Sequence, residues 1–136
     1  MNILIVDNNI VWLQTLKRGL KIRGCEVMEA FGADEALKNL SNPDMPDIDL
    51  VLTDYLMSEM NGIELLKEIR MNYGSLPVIL MTAYAEKSLL IEAFHNHCNG
   101  FIEKSSNLDQ LMQEINIVME KSQNGLCQNG IGLVTV

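Results

Sequence analysis

The chain has 136 residues, 10 basic and 18 acidic, for a net charge of -8, and 48% of it is apolar. That length makes one domain with room for a core, and the acidic balance argues against direct nucleic-acid binding, which needs a cationic face. No apolar stretch approaches the roughly 18 residues of a membrane span, and Met1 leads into an apolar run with no signal pattern, which points to a natural N-terminus.

Cys25, Cys98 and Cys127 are odd in number and lack metal-binding spacing, so free thiols in a reducing, cytoplasmic setting are expected. Short β-rich runs alternate with longer segments of helical period, which predicts βαβ units and an α/β fold with a parallel sheet. The first strand covers residues 2–6 and ends at Asp7. A helix over 9–23 places Val11, Trp12, Leu16 and Leu20 near one face, with Trp12 read as core and Gly24 as the terminal cap. A short strand over 26–30 and a helix over 34–40 follow, the latter closed by Ser41-Asn42-Pro43.

The run Leu50-Val51-Leu52-Thr53 ends on Asp54. A third helix over 61–73 carries Ile63, Leu66 and Ile69, and Pro77 opens the strand Val78-Ile79-Leu80-Met81, which ends on Thr82. A fourth helix is predicted over 85–97; its His95 and His97, two apart, do not share a face and are not read as metal ligands. The fifth strand, Phe101-Ile102-Glu103, runs into Lys104, and Leu108, Leu111, Met112, Ile115 and Met119 trace a fifth helix capped by Ser106 or Asn107. Residues 122–136, with Gln123-Asn124-Gly125 and Gln128-Asn129-Gly130, read as a tail or truncated linker after a domain over 1–121.

In an open parallel sheet all strand C-termini lie on one edge, where ligands bind. Asp7, Asp54, Thr82 and Lys104 would therefore converge on one cleft. Each alone has a bland explanation as a loop, strand or surface residue, and their joint placement is what discriminates. That constellation resembles the receiver domain of two-component response regulators. The resemblance implies a doubly wound, flavodoxin-like five-stranded sheet of order 2-1-3-4-5. It also implies that Asp54 accepts a phosphoryl group from a phosphohistidine on a sensor histidine kinase or histidine phosphotransfer protein, with Mg2+ beside it. Asp7 takes the role of metal-site acid, and Thr82 and Lys104 those of phosphoryl-contacting hydroxyl and cation. Leu56 would offer a backbone carbonyl to the metal, and Phe101, three residues before the lysine, falls at the aromatic switch position. Leu56 and Tyr84 would flank the path of the hydrolytic water. The fourth helix, fifth strand and fifth helix would form the face for a downstream effector or self-association, and neither nucleic acid nor membrane is expected as a direct partner.

The sequence departs from the family pattern at three points. Receivers usually carry two adjacent acids after the first strand, whereas here the pair is Asp7-Asn8; a neutral amide oxygen then stands where a charged ligand is usual. Ser58 stands where proline is common. Ser105 follows Lys104 where proline is nearly a signature and where the family's bond is typically cis; the retained lysine and aromatic favour a cis Lys104-Ser105 bond here too. These departures leave open a pseudo-receiver that binds partners without cycling phosphate. A phosphatase with an aspartyl nucleophile is a third reading, disfavoured because Asp7-Asn8-Asn9 is not Asp-x-Asp.

Overall fold

The computed structural model describes residues 1–123. Five strands alternate with five helices: β1 (Asn2–Val6), α1 (Ile10–Ile22), β2 (Glu26–Ala30), α2 (Ala33–Ser41), β3 (Leu50–Asp54), α3 (Gly62–Tyr73), β4 (Val78–Thr82), α4 (Lys87–His95), β5 (Gly100–Glu103) and α5 (Leu108–Gln123). The strands form one parallel sheet in the order β2-β1-β3-β4-β5. The expected fold class and strand order are therefore both observed.

Apolar side chains leave both faces of the strands, as a sheet covered on both sides requires. Leu4, Val6, Val51 and Leu80 meet α2, α3 and α4 through Ala36, Ile63, Leu66 and Ala93. Ile3, Ile5, Leu52 and Met81 meet α1 and α5 through Leu13, Leu16, Ile115 and Val118. Each fully buried Leu, Ile or Val contributes about 1.5 to 3 kcal/mol from its removal from water, so the three central strands anchor whatever hangs from their ends.

Several expectations shift in detail. On α1 the buried face is Leu13, Leu16 and Leu20, while Val11 is 75% exposed. Val11 lies two residues before Leu13, about 200° around the helix, and so points away from the core. Gly24 has φ +88, as a residue closing a helix in the left-handed region should. The third helix begins after Asn61, which caps it in a reciprocal pair with Glu64. Asn107 rather than Ser106 caps α5, pairing with Gln110.

Helix α4 is shorter at both ends than expected. It starts after Glu86, which makes no side-chain cap, and ends before His97, whose φ of +62 takes the chain out of the helix. It buries only Leu89 and Ala93, against five buried residues on α3. Ser122 and Gln123, read as part of a tail, continue α5; residues 124–136 lie outside the described residues. Among the described residues Cys25 and Cys98 are free and buried, and no helix is long and apolar enough to cross a membrane.

Candidate functional site

The register brings the candidate residues to one edge. Val6 pairs with Thr53, Asp54 with Met81 and Thr82 with Glu103, so Asp7, Asp54, Thr82 and Lys104 all stand at C-terminal strand ends. The Asp7 backbone N–H donates to Ala30 O (3.0 Å), that of Tyr55 to Met81 O (2.9 Å) and that of Lys104 to Thr82 O (2.7 Å). These bonds fix the chain just past the last sheet pairs. Gly62 closes in from α3: its N–H donates to Tyr55 O (2.8 Å), and a Cβ there would lie 2.5 Å from Asp54 O and 2.7 Å from Leu80 Cδ1. Only glycine fits against the back of the Asp54 peptide.

The Lys104 ammonium bridges two carboxylates, 2.7 Å from Asp7 Oδ2 and 3.2 Å from Asp54 Oδ2. Asp7 is fully buried, and its Oδ1 accepts the Asn9 N–H at 2.9 Å; Asp54 is 7% exposed. Two buried anions against one cation leave an excess of negative charge. Burial first and Asp7 second push the Asp54 carboxyl above its ordinary value, and Lys104 opposes them. The Thr82 hydroxyl is buried and turned to the Tyr84 backbone, donating to its O and accepting from its N–H, both at 3.3 Å.

The expected cis Lys104-Ser105 bond is not observed: no peptide bond among the described residues is cis. A cis bond before a non-proline residue costs about 2.5 to 4 kcal/mol, and the trans chain already delivers the ammonium to both carboxylates through a turn closed by the Ser106 N–H on Glu103 O (3.0 Å). The costlier isomer is not needed to aim the lysine.

The remaining expected residues scatter. Asn8 is exposed beside Asp7. Leu56 and Tyr84 are 65% and 75% exposed at the rim. Phe101 packs on the core beside Leu90, Ile91 and Phe94 of α4. Trp12, read as core, does pack against the α1–α5 core, and it also borders the cluster: Lys104 Nζ lies 5.4 Å from its ring centroid. The available signal was its place in the first turn of the helix that follows Asp7, a turn capped by Asn9, which accepts the Trp12 N–H.

Among the described residues no group of three or more His, Cys, Asp or Glu side chains is placed to hold a metal ion. A cation here would meet two carboxylates, Asp7 and Asp54, both beside Lys104. Carboxylate oxygens suit a hard divalent ion; burial first and the Asp7 charge second raise the Asp54 pKa, and such an ion would offset the second of these.

The family model described as "Response regulator receiver domain" matches residues 3–116, and the chain belongs to that family. It is 34% identical to the chemotaxis protein CheY-3 of Vibrio cholerae over 125 residues, covering 89% of this chain and 93% of that protein. It is 35% identical to the transcriptional regulatory protein ZraR of Klebsiella oxytoca over 111 residues, covering 82% of this chain but 24% of ZraR; the chain spans about a quarter of that longer regulator. Among solved structures, a CheY-like receiver domain protein of Methanospirillum hungatei superposes with a TM-score of 0.83 at 27% identity, over 91% of this chain and 97% of that one. Receiver domains of this family are signalling domains that generally use Mg2+.

Proposed function

We propose that this chain is a phosphoacceptor receiver in which Asp54 takes a phosphoryl group from a phosphohistidine on a sensor histidine kinase or phosphotransfer protein. The observation that carries this is the Lys104 ammonium shared between Asp7 and Asp54 at the strand-end edge. An Asp54 carboxylate oxygen attacks phosphorus, an O–P bond forms, and the P–N bond to the imidazole breaks. The imidazole leaves with the bonding pair. Positioning and charge neutralisation supply the acceleration. Lys104, whose ammonium lies 3.2 Å from the acceptor carboxylate, meets the transferred phosphoryl oxygens. Thr82 turns its hydroxyl from the Tyr84 backbone to another of them. Mg2+ bound by Asp7, Asp54, the Asn8 amide oxygen and the Leu56 carbonyl would neutralise the developing charge.

Phe101 serves as the switch residue that follows Thr82, and α4, β5 and α5 carry the signal to an effector or a second copy. The exposed Leu90, Ile91 and Phe94 of α4 beside Phe101 support that assignment. Leu56 and Tyr84 flank the approach of hydrolytic water and, being apolar or bulky, make loss of phosphate slow; Leu56→Asn should hasten it. We place the domain over residues 1–121, continued by the last two residues of α5, in the cytoplasm.

The test is incubation with Mg2+ and acetyl phosphate. One alkali- and hydroxylamine-labile phosphate on Asp54, lost in Asp54→Asn with the fold intact, supports the reading, and phosphate elsewhere overturns it. A pseudo-receiver is the second reading, favoured by Asn8 in place of an acid; no uptake at saturating Mg2+ would establish it.

A further inference from the structure

We infer that Trp12 is a positioning residue that holds Lys104 over the Asp7–Asp54 pair; its role in phosphoryl transfer rests on the function proposed above. Lys104 has two places to go. One is the carboxylate pair it occupies. The other is a cavity of about 190 Å³ between α1 and α5, whose lining includes Trp12 and Leu108 together with the polar Thr15, Glu103, Ser106 and Asn107. The Trp12 ring stands where these meet: it lines the cavity and has the ammonium 5.4 Å from its centroid, within the range at which a ring face attracts a cation.

The family's proline after the lysine is absent, so the chain beyond Lys104 does not restrict the side chain in that way. The restriction comes from α1. Trp12 is fixed there by the Asn9 cap, which accepts its backbone N–H at 3.0 Å, and by packing on the α1–α5 core. The indole N–H is buried with no acceptor, so a hydrogen bond does not hold the ring in place. What the site uses is the face of the ring, and a phenyl ring supplies a face without an unpaired donor. Trp12→Phe should therefore preserve the arrangement, whereas Trp12→Leu, which fills part of the same space without a π face, should let Lys104 turn toward the cavity.

Both variants keep an apolar side chain and are checked for folding by circular dichroism. The first measurement is made at rest, without phosphate. The Lys104 ε-methylene protons should show an upfield ring-current shift in wild type and Trp12→Phe, and lose it in Trp12→Leu. As a converse that does not alter α1, Lys104→Met should change the emission of Trp12, which is the chain's one tryptophan. The second measurement is the initial rate of labelling by acetyl phosphate at saturating Mg2+: about tenfold slower in Trp12→Leu and restored in Trp12→Phe. Unshifted Lys104 protons in wild type, or equal labelling rates in Trp12→Leu and wild type, would overturn the inference. If wild type takes no phosphate, the phosphoacceptor reading fails, and the resting shift still decides the Trp12–Lys104 contact by itself.

Discussion

Two cationic side chains are drawn into this sheet, one at each end of its strands, and they are treated in opposite ways. At the N-terminal ends of β4 and β5, Arg70 uses all five guanidinium N–H donors. Nε and Nη2 donate to His97 O (3.1 and 2.8 Å), Nη1 donates to Gly74 O (3.0 Å) and Leu76 O (2.6 Å), and Nη2 also donates to Asn99 Oδ1. Every acceptor is a neutral carbonyl oxygen, and burial draws the guanidinium below its ordinary pKa. At the C-terminal ends, Lys104 meets two ionisable carboxylates and leaves negative charge over. The difference separates a clamp from a site. Where every donor is matched to a neutral acceptor the charge is spent on holding loops together, and where charge is left unmatched the cluster can respond to a cation or a phosphoryl group.

Removing the clamp should have the largest effect. Arg70→Met strands several loop carbonyls, and urea unfolding should show a loss on the order of 3 kcal/mol with phosphate labelling still confined to one site. If stability is unchanged, the contrast between the two ends does not hold. Gly62→Ala should come next: its Cβ meets the Asp54 carbonyl at 2.5 Å, so overpacking should cost about 1 to 3 kcal/mol and slow Asp54 labelling as well. A loss of stability with normal labelling would mean the Asp54 peptide tolerates displacement.

Asn8→Asp adds charge to the unmatched end. Mg2+ should bind roughly tenfold more tightly, near the lower bound of the contact energy of unit charges at an exposed position, as read by calorimetric titration. Equal affinity would place residue 8 outside the ion's ligands. The smallest effect concerns Asp54 itself. Its folded pKa lies above the ordinary 3.8, so the ionised carboxylate is less favoured in the folded chain than in the unfolded one. The stability it contributes is full below that ordinary value and is lost as pH rises through the folded value. Asp54→Asn should therefore raise Tm at pH 7, and the gap should narrow as pH falls towards 4; a lower Tm at pH 7 would show that the Lys104 contact outweighs burial.

The strands and helices were legible because each strand is a short apolar run and each helix carries its own period, whereas the order of the strands came from the resemblance to receivers. The unmatched end was legible for a related reason, since a polar residue directly after an apolar strand is conspicuous in a linear sequence. The second contact of Trp12, with Lys104, was not, because a core-packed aromatic in a first helical turn meets a lysine 92 residues further on only through the tertiary fold. The Arg70 clamp left no pattern either: its partners are mostly backbone carbonyls from two loops, and any residue type supplies a carbonyl. The ends of α4 were misjudged because its start lacks a capping side chain and its exit is made by His97 in a left-handed conformation.

The thin attachment of α4 has a thermodynamic consequence. With Leu89 and Ala93 as its only buried residues, no side-chain N-cap, and Leu90, Ile91 and Phe94 already partly in water, its detachment exposes little new apolar surface. Local opening free energy follows what is newly exposed. The backbone amides of α4 should therefore exchange with deuterium well before those of α3, which carries Ile63, Leu65, Leu66 and Ile69 in the interior. Early exchange in α4 beside protected strands would mean that this helix can change position at a cost far below that of unfolding the domain.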